Sequence, residues 1–203
     1  TALLSGRVEI AEMSAEAILV DREPAADPAA SGAEAGTGGF ALPELPVSLR
    51  IGLLRADRVA LGAGILGEPL EFRAEGTAEL SGGQGEARFE AERTDGGATG
   101  NFTLRASYSN ATKQAAIDLL AAEGKGGLVA RMAGLPGDPS ILLALNGAGP
   151  ITDFAADIAL STDGAPRLTG KVGFGAAGAD LAAGQRVRLD LAGDVRPLFA
   201  PPY

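Results

Sequence analysis

Two neighbouring runs of strictly alternating apolar and charged residues place the tightest limit on how this chain can fold. In the run 70–80, LEFRAEGTAEL, the leucines, phenylalanine, alanines and glycine fall on one side, and the charged residues and threonine fall on the other. The run 86–93, EARFEAER, repeats the pattern after the glycine-rich turn SGGQG. Because successive side chains of a strand point to opposite faces, this pattern predicts an antiparallel hairpin with one dry and one wet face.

Similar runs recur along most of the chain and predict a serial β-meander. They lie at 45–62, 100–108, 116–121, 140–147, 154–161, 167–175 and 186–193. The segments between them carry turn chemistry, as in TDGG at 94–97 and TDGAP at 162–166, and short strands joined by such turns usually pair with their neighbours. We therefore expect an all-β fold with a curved, mostly antiparallel sheet of about ten or more strands.

The N-terminal part and one internal segment depart from this rhythm. The segments 7–13 and 15–20 predict two short strands, and the Ala/Gly/Pro-rich segment 22–39, which lacks apolar periodicity, predicts a flexible loop. Apolar residues near helical spacing predict one short helix near 127–135.

The run 45–62 predicts two strands joined by a tight connection, the second being DRVALG at 57–62. The apolar face of the first strand is expected to carry alternate residues, namely Val47, Leu49, Ile51 and Leu53.

The composition limits how the dry face is covered. Glycine supplies 30 of the 203 residues, whereas aromatic residues make up only 4%. A second sheet can cover a single apolar face to form a sandwich, or the sheet can curl so that this face lines an open hydrophobic trough. Sandwiches are the commoner solution, but the scarce aromatic side chains and the many alanines and glycines on the apolar face favour the trough.

The ionisable residues exclude several function classes. The net charge is −9 and no basic cluster is present, which argues against nucleic acid as a partner because phosphates need a concentrated positive surface. The chain has neither cysteine nor histidine, so a Ser-His-Asp triad, a thiolate nucleophile and a His/Cys metal site are all impossible. We expect no cofactor, no metal and no enzymatic activity.

Two patterns resemble catalytic or binding motifs. GAGILG at 62–67 matches GxGxxG, but Glu68–Pro69 and another strand follow it rather than a helix that could bind a pyrophosphate. The acidic residues that a hydrolase could use on adjacent strands are Glu75, Glu79, Glu90 and Glu92. A solvated sheet face with Glu–Arg cross-strand pairs, such as Glu79 with Arg88, explains these residues more simply.

Five segments, in this order, carry a family resemblance. They are SGRVEIAEMSAEAILVDR, LPVSLRIGLLRADRVALG, LVARMAGLPG, GAGPITDFAADIALS and LAGDVRPLFAPPY. The most distinctive part is the turn at Gly147–Phe154. Together the segments resemble the N-terminal half of the TamB group in the AsmA-like family, over essentially the whole chain. The family's membrane anchor and large C-terminal region have no counterpart in these residues, and the insertion at 22–39 also departs from the pattern.

The resemblance implies more than the residue patterns do. It implies that residues 1–203 are a single β-rich segment of a longer periplasmic protein, anchored in the inner membrane outside this chain, with a trough of the β-taco type. It further implies passage of phospholipid acyl chains between the inner and outer membranes, support of outer-membrane protein assembly, and an outer-membrane barrel partner (TamA-like) that docks outside this chain. A β-sandwich binding or adhesion module is the alternative.

The candidate lipid-lining residues are the large apolar side chains expected on the dry face. They are Leu70, Phe72, Leu80, Phe89, Phe102, Leu104, Ile141, Leu143, Phe154, Ile158, Leu160, Val172, Phe174, Val187, Leu189 and Leu191. Passage of an acyl chain along such a groove needs no catalytic group, because the groove replaces the water that the chain would otherwise contact.

Overall fold

The computed structural model describes residues 6–22, 42–43, 47–176 and 185–199. Within them the strands are β1 (Arg7–Ile10), β2 (Met13–Ala15), β3 (Ile18–Val20), β4 (Ser48–Leu61), β5 (Leu70–Ser81), β6 (Gln84–Arg93), β7 (Gly100–Ser109), β8 (Gln114–Glu123), β9 (Ile141–Pro150), β10 (Asp153–Thr162), β11 (Ala165–Ala176) and β12 (Gln185–Ala192). The helices are α1 (Ala63–Leu66) and α2 (Leu128–Met132), and Arg196–Leu198 forms a 3-10 turn. The loop predicted at 22–39 lies outside the described residues, apart from Arg22.

From β4 to β12 the strands form an antiparallel meander in which each strand pairs with the next. Two-residue turns close two of the hairpins: Gly82 and Gly83 join β5 to β6, and Asp163 and Gly164 join β10 to β11. All four residues have positive φ, as type I′ turns require, and the twist of such turns matches that of the flanking strands. The predicted all-β, mostly antiparallel meander is confirmed.

The three N-terminal strands run parallel to β4 along its outer edge. β4 is one strand with two irregularities, between Ile51 and Leu54 and between Ala56 and Val59. The gaps between β1 and β2 and between β2 and β3 lie opposite these two irregularities, so the edge strand is interrupted where β4 bulges. The predictions of two N-terminal strands and of two strands in the β4 region are therefore wrong, and Leu54 rather than Leu53 takes the next register position on the apolar face.

Two short helices join strands at one end of the sheet. α2 confirms the helix predicted near 127–135, whereas α1 lies inside GAGILG, where no helix was predicted. A Cβ atom at Gly62 would lie 3.0 Å from Asp21 Cα, and one at Gly64 would lie 2.8 Å from the Asp21 carbonyl oxygen. Gly67 caps the helix with φ 84°. The glycine spacing of this motif therefore reflects a close backbone approach and a left-handed cap.

The sheet is open and curved, and no second layer covers its apolar face within the described residues. The hydrophobic cluster of buried residues there is small and consists of Ala56, Val59 and Ala74. On the same face, Phe89 and Phe174 are 38% and 48% exposed. The predicted open hydrophobic trough is confirmed, and the sandwich architecture is wrong because a sandwich would bury these rings between two sheets.

Candidate functional site

The trough floor is the face that carries Phe89, and alternate residues of β5–β12 share it with the β4 residues that lie opposite the floor residues of β5. In the middle of the floor, Phe89 lies directly opposite Leu104 of β7. The same row continues through Leu119 of β8 and Leu145 of β9 to Ile158 of β10. A row of large apolar side chains therefore crosses five strands with no charged group in it.

The strand register places all the predicted lipid-lining residues on this floor. They are Leu70, Phe72 and Leu80 on β5, Phe89 on β6, Phe102 and Leu104 on β7, Ile141 and Leu143 on β9, Phe154, Ile158 and Leu160 on β10, Val172 and Phe174 on β11, and Val187, Leu189 and Leu191 on β12. The rings of Phe89 and Phe102 make an edge-to-face contact with centroids 6.0 Å apart. The floor also contains Ile117, Leu119 and Leu145, which the sequence prediction omitted.

The opposite, outer face carries most of the charged side chains of β5 and β6. The predicted pair of Glu79 with Arg88 is wrong, because Glu79 lies directly opposite Glu86. Its carboxylate instead approaches Arg50 of β4, with Nε and Oε2 3.9 Å apart. At that distance, and with both side chains more than half exposed, the pair contributes little to stability.

The other glutamates of the hydrolase hypothesis lie on the same outer face. Glu75 is directly opposite Glu90, and Arg73 donates a hydrogen bond of 2.6 Å to Glu92. A general-acid carboxyl needs a desolvated site, and this open face does not supply one. No group of three or more acidic residues in the described part of the chain is arranged to hold a metal ion.

The cavity end of the trough lies at the turns between β5 and β6 and between β7 and β8. A cavity of about 470 Å³ opens there above small floor residues, including Gly85, Ala106 and Ala115. Its lining extends from Leu80 on β5 to Phe154 on β10. In a flat sheet these strands would be about 24 Å apart, so one cavity can contact both only because the sheet curls. Its volume is in the range of small-molecule sites.

The helix end of the trough lies at α1 and α2, on the opposite side. The carboxylate of Glu123 accepts hydrogen bonds from the backbone N–H groups of Leu128 and Val129, the latter at 2.8 Å, and so caps α2. Arg131 of α2 forms an ion pair with Glu68, which lies between α1 and β5. α2 therefore reaches from the β8–β9 connection to the β4–β5 connection and bridges this end of the trough.

A charged pair also lies at the helix end. Arg93 and Asp95 have side chains only 12% and 16% exposed, and Arg93 Nε lies 2.8 Å from Asp95 Oδ1. Burial acts to raise the pKa of Asp95, but hydrogen bonds from Arg93 and from the backbone N–H groups of Gly97 and Glu71 outweigh it, so the pKa lies below its ordinary value. This end is thus polar, whereas the cavity end is apolar.

The sequence analysis also missed Arg93 and Leu42, for different reasons. Arg93 lies four residues after Phe89 on β6, so the two side chains point to the same face, and counting by two would have placed Arg93 on the floor. Leu42 lines the cavity but belongs to no alternating run. No local pattern marks it.

Comparison with protein-family models, with curated proteins and with solved structures gave no match. Among the described residues, no helix is both long enough and apolar enough to cross a membrane.

Proposed function

We propose that the trough floor carries the acyl chains of phospholipids, as one segment of a conduit in a TamB-like envelope protein. The observation that supports this most is that all the predicted lining residues lie on one open face. Rings on that face such as Phe89 and Phe174 remain partly exposed. Contiguous exposed apolar surface of this kind marks a site that meets an apolar partner.

A hydrocarbon chain fits this floor better than a polypeptide does. Strands β5–β10 each pair with a strand on both sides, so most of the backbone N–H and C=O groups along the floor are already engaged within the sheet. An extended peptide on it would bury N–H and C=O groups without partners, which costs free energy for each group. An acyl chain has no such groups and loses only its unfavourable contact with water.

Transport along the trough requires moderate and uniform binding. Each methylene removed from water contributes about 0.8 kcal/mol, and the central row from Phe89 to Ile158 contains no charged residue that would favour one position. The headgroup can remain in solvent at the open side of the trough. We therefore propose passage without a covalent step.

The location and the partners of the longer protein are part of the same proposal. The longer protein would be periplasmic and anchored in the inner membrane by a segment outside this chain. Lipid would pass between the inner and outer membranes, and a TamA-like barrel partner would dock on another part of the longer protein. Assistance to outer-membrane protein assembly is part of this proposal.

Photocrosslinking in cells tests the conduit directly. A photoreactive amino acid is introduced at Phe89 or at Phe154, and the adducts formed after illumination are identified by mass spectrometry. The outer-face residues Leu120 and Leu142 are matched controls, because they are also large and apolar and are 42% and 45% exposed.

We expect phospholipid adducts at both floor positions and none at the outer-face positions. Adducts of equal yield on the two faces would indicate non-specific contact with lipid. An absence of lipid at both floor positions would rule out the conduit.

A further inference from the structure

We propose that Leu42 sets the length of hydrocarbon chain that the cavity end accepts, and that Asn110 is the positioning residue that holds Leu42 there. This inference rests on the proposed function. It concerns the cavity end of the trough, where a cavity of about 470 Å³ opens above small floor residues such as Gly85, Ala106 and Ala115.

Leu42 lies outside the sheet but inside the cavity. It lines the cavity together with Leu80, Tyr108 and Phe154. Its Cδ1 atom would be only 2.7 Å from a Cβ atom at Gly85, which means that the leucine occupies the space that the glycine leaves open. A chain that advances along the floor toward this end therefore meets the Leu42 side chain.

The side-chain amide of Asn110 holds the backbone of Leu42. The backbone N–H of Leu42 donates to Asn110 Oδ1 at 2.8 Å, and Asn110 Nδ2 donates to the Leu42 carbonyl oxygen at 2.8 Å. The amide thus supplies both hydrogen bonds that a neighbouring strand would give. Leu42 is held over the floor without joining the sheet.

Asn110 is itself fixed by the turn between β5 and β6. Its backbone N–H donates to the Gly83 carbonyl oxygen at 2.8 Å. A Cβ atom at Gly83 would lie 2.6 Å from Asn110 Nδ2, so glycine at this position allows the amide to lie against the turn. Within the described part of the chain the Asn110 side chain forms its hydrogen bonds with Leu42, so loss of that side chain should alter the cavity without altering the floor residues.

Binding of a series of lysophosphatidylcholines that differ only in chain length tests this inference on the full 203-residue chain. For wild type, affinity should rise about fourfold with each methylene until the chain reaches Leu42, and then stop rising. In Leu42→Ala this limit should move to longer chains, and in Leu42→Trp to shorter ones. Affinity for the shortest chains should not change in either variant.

Asn110→Ala should move the limit in the same direction as Leu42→Ala, because a released Leu42 no longer blocks the cavity. The double variant should match Leu42→Ala alone, since Asn110 acts through Leu42. Asn146→Ala, on the outer face of β9, is the control and should leave the limit in place. Thermal unfolding of each variant verifies that it is folded.

The outcomes separate the two proposals. If wild type binds no lysophosphatidylcholine of any length, both the proposed function and this inference are overturned. If wild type binds but Leu42→Ala keeps the wild-type limit, only the inference is overturned. If Leu42→Ala moves the limit and Asn110→Ala does not, the role assigned to Asn110 is wrong.

Discussion

The space around two glycines of β9 shows how individual residues shape the trough floor. A Cβ atom at Gly147 would lie 2.6 Å from the carbonyl oxygen of Ala155 and 2.6 Å from the Cβ atom of Ala156, whereas one at Gly149 would meet nothing within 4 Å. We expect Gly147→Ala to lower the free energy of unfolding by about 1–3 kcal/mol, as overpacking typically does. Gly149→Ala, on the same strand and face, should change it by less than about 0.5 kcal/mol.

Urea unfolding of the two glycine variants measures this difference. If both variants were destabilised equally, the cost would come from the strand backbone rather than from the close approach of β10 to Gly147.

The carboxyl of Asp95 should make stability depend on pH. Its pKa is lower in the folded chain than in the unfolded one, so its stabilisation is fully present above the unfolded value of about 3.9 and is lost as the pH falls through the lower folded value. Asp95→Asn should therefore be less stable than wild type at neutral pH by about 1 kcal/mol, and the difference should shrink below about pH 4.

The measurement is urea unfolding of Asp95→Asn and wild type across the acid range. Asp190→Asn, which changes an exposed residue on β12, is the control and should change the stability at neutral pH by less than about 0.5 kcal/mol. A difference between Asp95→Asn and wild type that stays constant down to low pH would contradict the assignment.

The helix α2 depends on the side chain of Glu123. It has five residues, too few to be stable without external contacts, and the Glu123 carboxylate accepts hydrogen bonds from its first N–H groups. Glu123→Ala should cost about 1 kcal/mol, as the loss of a helix cap does. It should also speed amide exchange in residues 128–132, while Glu86→Ala, on the outer face, should leave that exchange unchanged.

Amide hydrogen exchange measured by NMR distinguishes the two variants. Equal protection of α2 in Glu123→Ala and in wild type would mean that contacts other than this cap hold the helix.

Strands with unbroken alternation were predictable, and bulged strands were not. β5 and β6 alternate without interruption, so counting by two assigns every residue to its face. In β4 each bulge inserts one residue, which reverses the parity and replaces Leu53 by Leu54 on the floor. α1 was missed because a one-turn helix is too short to show helical periodicity.

For the whole molecule, the sequence indicates the order of the strands more directly than the shape of the sheet. A two-residue turn such as Asp163–Gly164 makes the flanking strands antiparallel neighbours, so a series of such turns predicts a meander. The parallel pairing of β1–β3 with β4 has no such local signal, because a long connection separates them. Nor does alternation indicate that Leu42 lies over Gly85, since that contact depends on Asn110 from a distant turn.

Because the floor is open, we expect a charge placed on it to leave the stability of the fold unchanged but to weaken ligand binding. Ala87 is exposed on the floor and lines the cavity, and Ala148 is exposed on the outer face of β9. Ala87→Glu and Ala148→Glu should each change the free energy of unfolding by no more than about 0.5 kcal/mol, as surface substitutions do. Only Ala87→Glu should weaken lysophosphatidylcholine binding, by about tenfold or more, because a bound chain would desolvate the new carboxylate.

Chemical unfolding and the same binding assay test both parts of this prediction together. A covered face would respond differently, since burying an unpaired carboxylate destabilises a folded chain by several kcal/mol. If Ala87→Glu unfolds the protein, the floor is covered in solution and the trough is not available to lipid. If the protein stays folded and binds as wild type does, the chain does not lie over Ala87, and the acyl path must run elsewhere along the floor.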